Sequence, residues 1–172
     1  MSGIYKDEAE NYEINLQKAP WSMGGELQDK FRAAGSFLNA VDWMAETEDT
    51  ILLIEFKDYN HPLSKIEDRE KFYQGILRKY YFSVYYLTAC GRLNNKVANY
   101  VFIAEAPSID KIIGKRARNS IKRRLPFDLQ EQNHEISNKL IDHFDIVSVS
   151  KWNELYPMFP LYKLGDAGQI RT

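Results

Sequence analysis

The segment that most constrains the fold is the run at residues 50–57, TILLIEFK, in which aliphatic and β-branched residues surround one acid and one base. A short apolar run of this kind is typical of a strand that is buried on both faces. Glu55 and Lys57 are two residues apart, so they project from the same face of that strand. Phe56 then projects into the core, and its backbone carbonyl remains free to face the acidic side. Because burying an unpaired ion is costly, Glu55 and Lys57 need partners.

An earlier strand, predicted over residues 37–45, supplies one such partner. The acidic residues 46–49 form the turn that joins it to the apolar strand as a hairpin. Asp42 lies on this earlier strand, and the hairpin brings it next to Glu55. The expected partners of Glu55 and Lys57 are therefore each other, Asp42 and a divalent cation.

Periodicity and turn residues divide the rest of the chain into alternating elements. Ser22 is predicted to cap a helix that Gly35 ends, and apolar residues at spacings of three and four predict a long amphipathic helix in the middle of the chain. The predicted elements are strands at 12–16, 37–45, 50–57, 99–104 and 145–150 and helices at 23–34, 64–89, 107–125 and 151–155. This order favours a single α/β domain over residues 1–172, with a mixed sheet and helices on both faces. Within it, residues 1–20 are an N-terminal extension and residues 22–105 carry the motif-bearing core.

Composition excludes several classes of protein. The 172 residues are enough to close a hydrophobic core without disulfides or a structural metal. A content of 44% hydrophobic and 27% charged residues is typical of globular domains. The single cysteine, Cys90, has no partner for an internal disulfide, and no apolar run reaches the ~18 residues of a membrane span. The acidic, polar start does not resemble a secretory signal. We therefore expect a cytoplasmic protein with no membrane partner.

The charges are unevenly distributed along the chain. A net charge of −1 provides no overall attraction to nucleic acid. Residues 111–124, however, contain seven basic residues and no acidic one, whereas residues 42–49 contain four carboxylates. The candidate contacts to nucleic-acid phosphates are Lys115, Arg118, Lys122 and Arg123. The first three share one helix face, and the alternative interpretation is that this face is simply solvated.

Asp42, Glu55 and the carbonyl of Phe56 form a set of hard oxygen ligands. Two carboxylates, one carbonyl and several waters suit octahedral Mg²⁺, with Mn²⁺ as a substitute. A zinc site is not indicated, because there is one cysteine and the three histidines have no paired spacing. Neither GxSxG nor GxxxxGKS/T occurs, so the sequence does not indicate a serine nucleophile or a phosphate-binding loop.

Asp42, a spacer of twelve residues and then the triplet Glu-Phe-Lys at residues 55–57 resemble the motif of the PD-(D/E)XK nuclease superfamily. The core of that superfamily is a helix, a two-strand turn bearing the Asp and the Glu-X-Lys, a second helix and a further strand. The resemblance covers residues 22–105 and implies a restriction-endonuclease-like fold. Val41 stands where many members of the superfamily have proline.

The resemblance implies a Mg²⁺-dependent nuclease, cutting internally or from an end, that hydrolyses phosphodiester bonds in DNA, with RNA as the alternative substrate. The implied metal ligands are Asp42, Glu55, the Phe56 carbonyl and, from the first helix, Glu26, with Asp29 as the alternative to Glu26. Lys57 would orient or deprotonate the attacking water. An apolar strand and a nearby cation push a lysine toward the neutral form that a base requires.

Two other interpretations of the same residues stay open. A catalytically inactive module of the same fold would bind nucleic acid or a protein partner through its basic run and aromatic side chains. Alternatively, an acid and a base on one strand face are commonly a solvated ion pair. The aromatic residues of the long helix cover too much of its circumference to be all buried, so some are expected to line a groove or a homodimer interface. They are Tyr80, Tyr81, Phe82, Tyr85 and Tyr86.

Overall fold

The computed structural model describes residues 3–35, 38–59, 69–105, 115–165 and 170–171. In chain order the elements are β1 (Ile4–Lys6), β2 (Tyr12–Asn15), β3 (Ser22–Met23), α1 (Glu26–Ala34), β4 (Trp43–Glu46), β5 (Thr50–Asp58), α2 (Arg69–Ala89), β6 (Val97–Glu105), α3 (Lys115–Lys122), α4 (Phe127–Gln132), β7 (Ile141–Val147), α5 (Val149–Leu155), β8 (Leu161–Leu164) and β9 (Ile170–Arg171). None of the helices described is long and apolar enough to cross a bilayer.

The main sheet has five strands in the order β3-β4-β5-β6-β7. β4 and β5 form the predicted antiparallel hairpin, with Trp43 opposite Ile54. β5 runs parallel to β6 along its whole length, and β6 runs parallel to β7. β5 is therefore the central strand, which explains why its residues are apolar on both faces. The protein is a mixed α/β fold, and its five-stranded mixed sheet is flanked by helices.

One face of the main sheet is covered by α1 to α4. Leu27 of α1, Tyr80 of α2 and Ile121 of α3 are buried in the same cluster as Leu53 of β5, and Phe127 of α4 packs against it. Alternation along β5 places Glu55 and Lys57 on this same helical face. The chemistry-bearing side chains therefore lie between the sheet and the helices.

The opposite face is covered by a second sheet together with α5. This sheet has four strands in the order β1-β2-β8-β9, so it joins segments from both ends of the sequence. Ile14 of β2 lies opposite Leu161 of β8, and both pack with Trp152 of α5 against Ile54 and Phe56. The predicted strand at residues 12–16 is present as β2. It belongs to this covering layer rather than to a separate tail.

Several predicted boundaries differ from the observed ones for local reasons. Ser22 does not cap α1: it lies in β3 and hydrogen-bonds with the Tyr5 hydroxyl, while Gly25 is the N-cap without a side-chain bond. The strand predicted at 145–150 ends at Val147, because the Ser148 hydroxyl accepts the Lys151 N–H and starts α5. α4 and the strands β1, β3, β8 and β9 were not predicted. The predicted helix starts at 64 and 107 lie outside the described residues.

Candidate active site

The backbone just before Asp42 is held by hydrogen bonds to side chains, where a longer strand would pair with a neighbouring strand. The Ala40 N–H donates to Gln28 Oε1 at 2.8 Å and the Val41 N–H donates to the buried Ser83 Oγ at 3.1 Å. In the described part of the predicted strand, residues 38–45, the strand therefore begins only at Trp43. Residue 37 lies outside the described residues. Asp42 lies just before it, and its Oδ2 accepts the Phe56 N–H at 2.8 Å. This bond fixes the carboxylate against the central strand.

The Phe56 carbonyl lies on the same side of β5 as its N–H. The N–H and C=O of one residue in an antiparallel ladder project toward the same neighbour. Because the N–H is directed at Asp42, the carbonyl is expected to face the gap beside β5 that precedes Trp43, the first residue of β4. The Phe56 ring meanwhile stacks with Trp43 in the core, with ring centroids 5.8 Å apart. The predicted burial of the Phe56 ring is therefore confirmed, and the carbonyl stays a predicted ligand.

Glu55 and Lys57 differ sharply in exposure although they share a face. The side chain of Glu55 is 2% exposed and that of Lys57 is 46% exposed. Lys57 Nζ lies 3.6 Å from Glu55 Oε1. The pair is therefore not a fully solvated ion pair, because its carboxylate is inside the protein.

Lys79 of α2 completes the group, and sequence reasoning missed it. Its Nζ donates to both Glu55 oxygens, at 2.6 and 2.7 Å, and lies 3.5 Å from Asp42 Oδ1. A signal for it was present in the sequence. Lys79 is three residues after Ile76 and four before Ser83, both buried, so a cation at this position needs a carboxylate partner. Asp42, Glu55, Lys57 and Lys79 together are called the charge cluster below.

The charge cluster lies at a cleft of about 690 Å³. The cleft is bounded by the connection between β1 and β2, by α1 and by the end of β5. Its acidic lining residues are Asp7, Glu8, Asp29, Asp42 and Asp58, and its basic lining residues are Lys6, Arg32, Lys57 and Lys79. Carboxylates therefore outnumber basic groups here, even before the buried Glu55 is added. Such a lining favours a cation and does not by itself favour a phosphate.

The two candidate ligands on α1 are placed differently. Glu26 is exposed at the first position of the helix and is not among the described residues that line the cleft. Asp29, one turn later, does line it and lies 3.7 Å from Arg32. The helix starts three residues later than its predicted start, so Glu26 is its first residue and Asp29 lies one turn further along. Of the two residues, Asp29 is the better placed.

Burial and neighbouring charges perturb the pKa of two members of the charge cluster. Burial, assisted by the Asp42 carboxylate, raises the pKa of Glu55 to about 7, although Lys79 and Lys57 act in the opposite direction. For Lys57, burial lowers the pKa, but the carboxylates of Glu55, Asp42 and Glu8 together outweigh it and the pKa is raised. The lowered pKa that we expected for Lys57 requires a bound cation beside it; without one, the carboxylates raise its pKa instead. Lys57 is held as a cation.

Replacing Glu55 with glutamine should flatten the pH dependence of stability of the metal-free protein. A carboxyl with a raised pKa binds its proton more readily in the folded state. Its stabilising contribution is therefore present at low pH and is lost as pH rises from 4.5 to about 7. Relative to E55Q, the wild type should lose at most about 1.4 kcal/mol per pH unit over this range. Urea unfolding of both proteins with EDTA tests this, and parallel pH profiles would contradict it.

The basic run is partly engaged by the protein itself. Arg118 Nε lies 2.7 Å from Asp145 Oδ1 and its Nη2 donates to the Ile146 carbonyl, so Arg118 ties α3 to β7. Lys122 Nζ lies 5.0 Å from the centre of the Phe127 ring. The remaining candidates, Lys115 and Arg123, are exposed. α3 is not among the described segments that line the cleft, so it would contact a ligand away from the charge cluster.

One carboxylate of the acidic segment, that of Glu46 at the end of β4, is paired within the chain. Glu46 lies 3.0 Å from Lys96 Nζ and 3.8 Å from Arg92. Lys96 Nζ also donates to the carbonyls of Thr47 and Glu48. The acidic residues of 42–49 therefore divide between two ends of β4, and Asp42 alone joins the charge cluster.

The aromatic residues of α2 also divide by exposure. Tyr80 is buried, whereas the exposed fractions of Tyr81 and Tyr85 are 45% and 71%. Tyr81 donates its hydroxyl proton to the Arg124 carbonyl, which links α2 to the end of the basic run. Tyr85 is therefore the aromatic residue most available for contact with a partner.

Comparison with protein-family models, with curated proteins and with solved structures gave no match for this chain. The function must accordingly be argued from the site itself.

Proposed function

We propose that this protein is a Mg²⁺-dependent nuclease of the PD-(D/E)XK type, which hydrolyses phosphodiester bonds in DNA, with RNA as the alternative substrate. The observation that carries the proposal is the convergence of Asp42, Glu55 and Lys57, with Asp42 and Lys57 lining one cleft and Glu55 buried beside them. Lys57 lies 3.6 Å from Glu55, and one ammonium group, that of Lys79, lies within 3.5 Å of oxygens from both carboxylates. Three residues that form a motif in the sequence therefore lie close enough to act together.

The order of elements supports a restriction-endonuclease-like core. α1 is followed by the hairpin of β4 and β5, then by α2 and by β6 parallel to β5. The Asp precedes the first hairpin strand and the Glu-Phe-Lys triplet lies in the second. This is the order of helix, two-strand turn, helix and strand that the superfamily motif requires.

The donor set at the cleft fits a hard divalent cation. Asp42 is 32% exposed, and with Glu55 and the Phe56 carbonyl it would provide three oxygen ligands. The described residues contain no cluster of three His, Cys, Asp or Glu side chains suited to a metal. A site with two carboxylates still suits Mg²⁺, which keeps several waters. Mg²⁺ bound there would polarise the phosphodiester and lower the pKa of a water molecule.

Lys57 has a role that follows from its charge. As an ammonium group at the cleft, it would hold the phosphate and stabilise negative charge that develops during cleavage. Deprotonation of water by Lys57, the alternative role, would require the neutral form. The exposed ammonium group of Lys57 reaches the cleft while its Glu55 partner stays beneath it.

Nucleic acid would be positioned by phosphate contacts that do not depend on sequence. Lys115, Lys122 and Arg123 remain candidates on the exposed part of the basic run. Arg118 is a weaker candidate, because its guanidinium already binds Asp145 and the Ile146 carbonyl. The acidic lining of the cleft requires a cation before a phosphate can approach, which links binding to the metal.

A catalytically inactive binding module of the same fold is the second candidate. The observation in its favour is Lys79, whose ammonium group already neutralises Glu55 and Asp42. A pair of carboxylates satisfied in this way does not need a metal for stability. The two candidates differ in whether a divalent cation binds and whether DNA is cut.

Mg²⁺ or Mn²⁺ should raise the melting temperature of the wild type, and Asp42→Asn should abolish that rise. A cation that binds only the folded state stabilises it by mass action. The asparagine retains an oxygen that can accept the Phe56 N–H, so the variant should fold. Circular and linear DNA incubated with either metal should be cut by the wild type and not by the variant.

The same assay separates the two candidate functions. Equal responses of the wild type and Asp42→Asn to metal would move the site away from Asp42. Metal binding without cleavage of DNA or RNA would favour the inactive module.

A further inference from the structure

We infer that Lys79 is a built-in competitor of the divalent cation, so that its ammonium group weakens metal binding at Asp42 and Glu55. This inference rests on the proposed metal site and concerns its regulation. Lys79 Nζ bonds both oxygens of Glu55 and lies 3.5 Å from Asp42. It therefore occupies the position that faces both carboxylates, which is where a shared cation would bind.

Charge balance supports competition rather than cooperation. The charge cluster contains two carboxylates and two ammonium groups, so its formal charge is zero. A divalent cation added to it without any other change would lie a few ångströms from the Lys79 ammonium group and raise the formal charge of the cluster to +2. Like charges this close together repel strongly where water is partly excluded. Metal binding therefore requires Lys79 to move away from Glu55.

The surroundings of Lys79 allow such a movement. Its side chain is 14% exposed and lines the cleft, so it has a path toward solvent, whereas Glu55 is 2% exposed and held within β5. The flexible lysine stem can reorient while the strand residue cannot. In the metal-free protein Lys79 also keeps the two carboxylates close together despite their mutual repulsion. It is thus a positioning residue that acts through Glu55.

Replacing Lys79 with glutamine tests the inference by a measurement that does not depend on activity. The amide can still donate a hydrogen bond to Glu55, so this variant should fold, but the competing charge is gone. Calorimetric titration with Mn²⁺ should show binding at least about tenfold tighter in Lys79→Gln than in the wild type. A residue that merely supports the structure would give the opposite result, since its loss would loosen the site.

Arg78→Gln is the matched control. Arg78 is the exposed neighbour on the same helix, so its replacement removes the same charge away from the charge cluster. Its Mn²⁺ affinity should equal that of the wild type to within about twofold, because exposed charges are screened. Equal tightening in both variants would overturn the inference, since it would reflect net charge alone.

A crystal structure of the wild type with Mn²⁺ provides a second readout that needs no variant. Lys79 Nζ should then lie beyond hydrogen-bonding distance of Glu55. Mn²⁺ bound to both carboxylates with the Lys79 bonds intact would overturn the inference, and so would unchanged or weaker affinity in folded Lys79→Gln. Those results leave the nuclease proposal standing. Tighter Mn²⁺ binding without DNA cleavage supports the inference and contradicts the nuclease, whereas no Mn²⁺ binding in either protein contradicts both.

Discussion

Replacing Lys57 with alanine is expected to lower the turnover of phosphodiester cleavage by about 10²- to 10³-fold, the effect typical of losing one group that stabilises developing charge. Lys57 reaches the cleft from the strand that bears Glu55, and its pKa is raised. Its loss should leave Asp42 and Glu55 in place, so metal-induced stabilisation should be retained. Turnover under saturating DNA, measured alongside the melting temperature with Mn²⁺, gives both quantities.

Lys57→Arg distinguishes the two roles that a lysine could have at this position. Arginine keeps the charge but cannot be deprotonated under ordinary conditions. If Lys57 acts as a cation, the turnover of Lys57→Arg should be at least about tenfold faster than that of Lys57→Ala. If it remains as slow as Lys57→Ala and both variants lose the pH dependence of the wild type, Lys57 acts as a base. Unchanged turnover in Lys57→Ala would remove this residue from the site.

Replacing Lys79 with methionine should destabilise the metal-free protein by about 3 kcal/mol at alkaline pH, because it leaves the buried Glu55 carboxylate without its main partner. The side chains of Glu55 and Lys79 are 2% and 14% exposed, so solvent cannot compensate for the loss. Because Lys57 also lies close to Glu55, the loss of stability should be at the lower end of the range that is usual for breaking a buried ion pair. The cost should shrink as pH falls toward 7, because Glu55 without the Lys79 ammonium group, which lowers its pKa, takes up a proton at a higher pH than in the wild type.

The double variant Glu55→Met with Lys79→Met should recover most of this stability. A buried ion pair replaced by apolar side chains of similar size is often neutral or stabilising, because neither ion has to be desolvated. Urea unfolding with EDTA should therefore rank the double variant near the wild type and well above Lys79→Met alone. If the double variant is as unstable as Lys79→Met, the Glu55–Lys79 pair stabilises the fold. If the double variant is stable but binds no metal, the pair serves function rather than stability.

The sequence predicted the hairpin and the shared face of Glu55 and Lys57 because both depend on local pattern. Alternation along residues 50–57 and the acidic turn before them needed no tertiary information. The start of β4 was harder to predict. Gln28 and Ser83, distant in sequence, take the hydrogen bonds that a longer strand would have made. A pattern confined to residues 37–45 does not contain that competition.

Lys79 and the second sheet illustrate two further features that could not be predicted from local sequence patterns. The spacing of Lys79 from Ile76 was only a weak signal, because a lysine in an amphipathic helix usually faces water and its acidic partners lie on different elements. The second sheet joins Ile14 to Leu161, and such distant strands show no turn residues that indicate their pairing. The ion pair of Arg118, a predicted phosphate contact, was not predicted for the same reason: Asp145, its partner, is on a strand that follows much later.

The pairing of β2 with β8 also sets an order for folding during synthesis. Chains emerge from the ribosome N-terminus first, and contacts between distant segments form late because the intervening chain must first be made. β1 and β2, whose connection forms one wall of the cleft, cannot find β8 until residues 161–164 are outside the ribosome. The hairpin with Glu55 and Lys57 is complete long before that. A nascent chain would therefore carry its charged residues before it has an enclosed cleft, and we expect ligand binding to begin only after β8 has emerged and paired with β2.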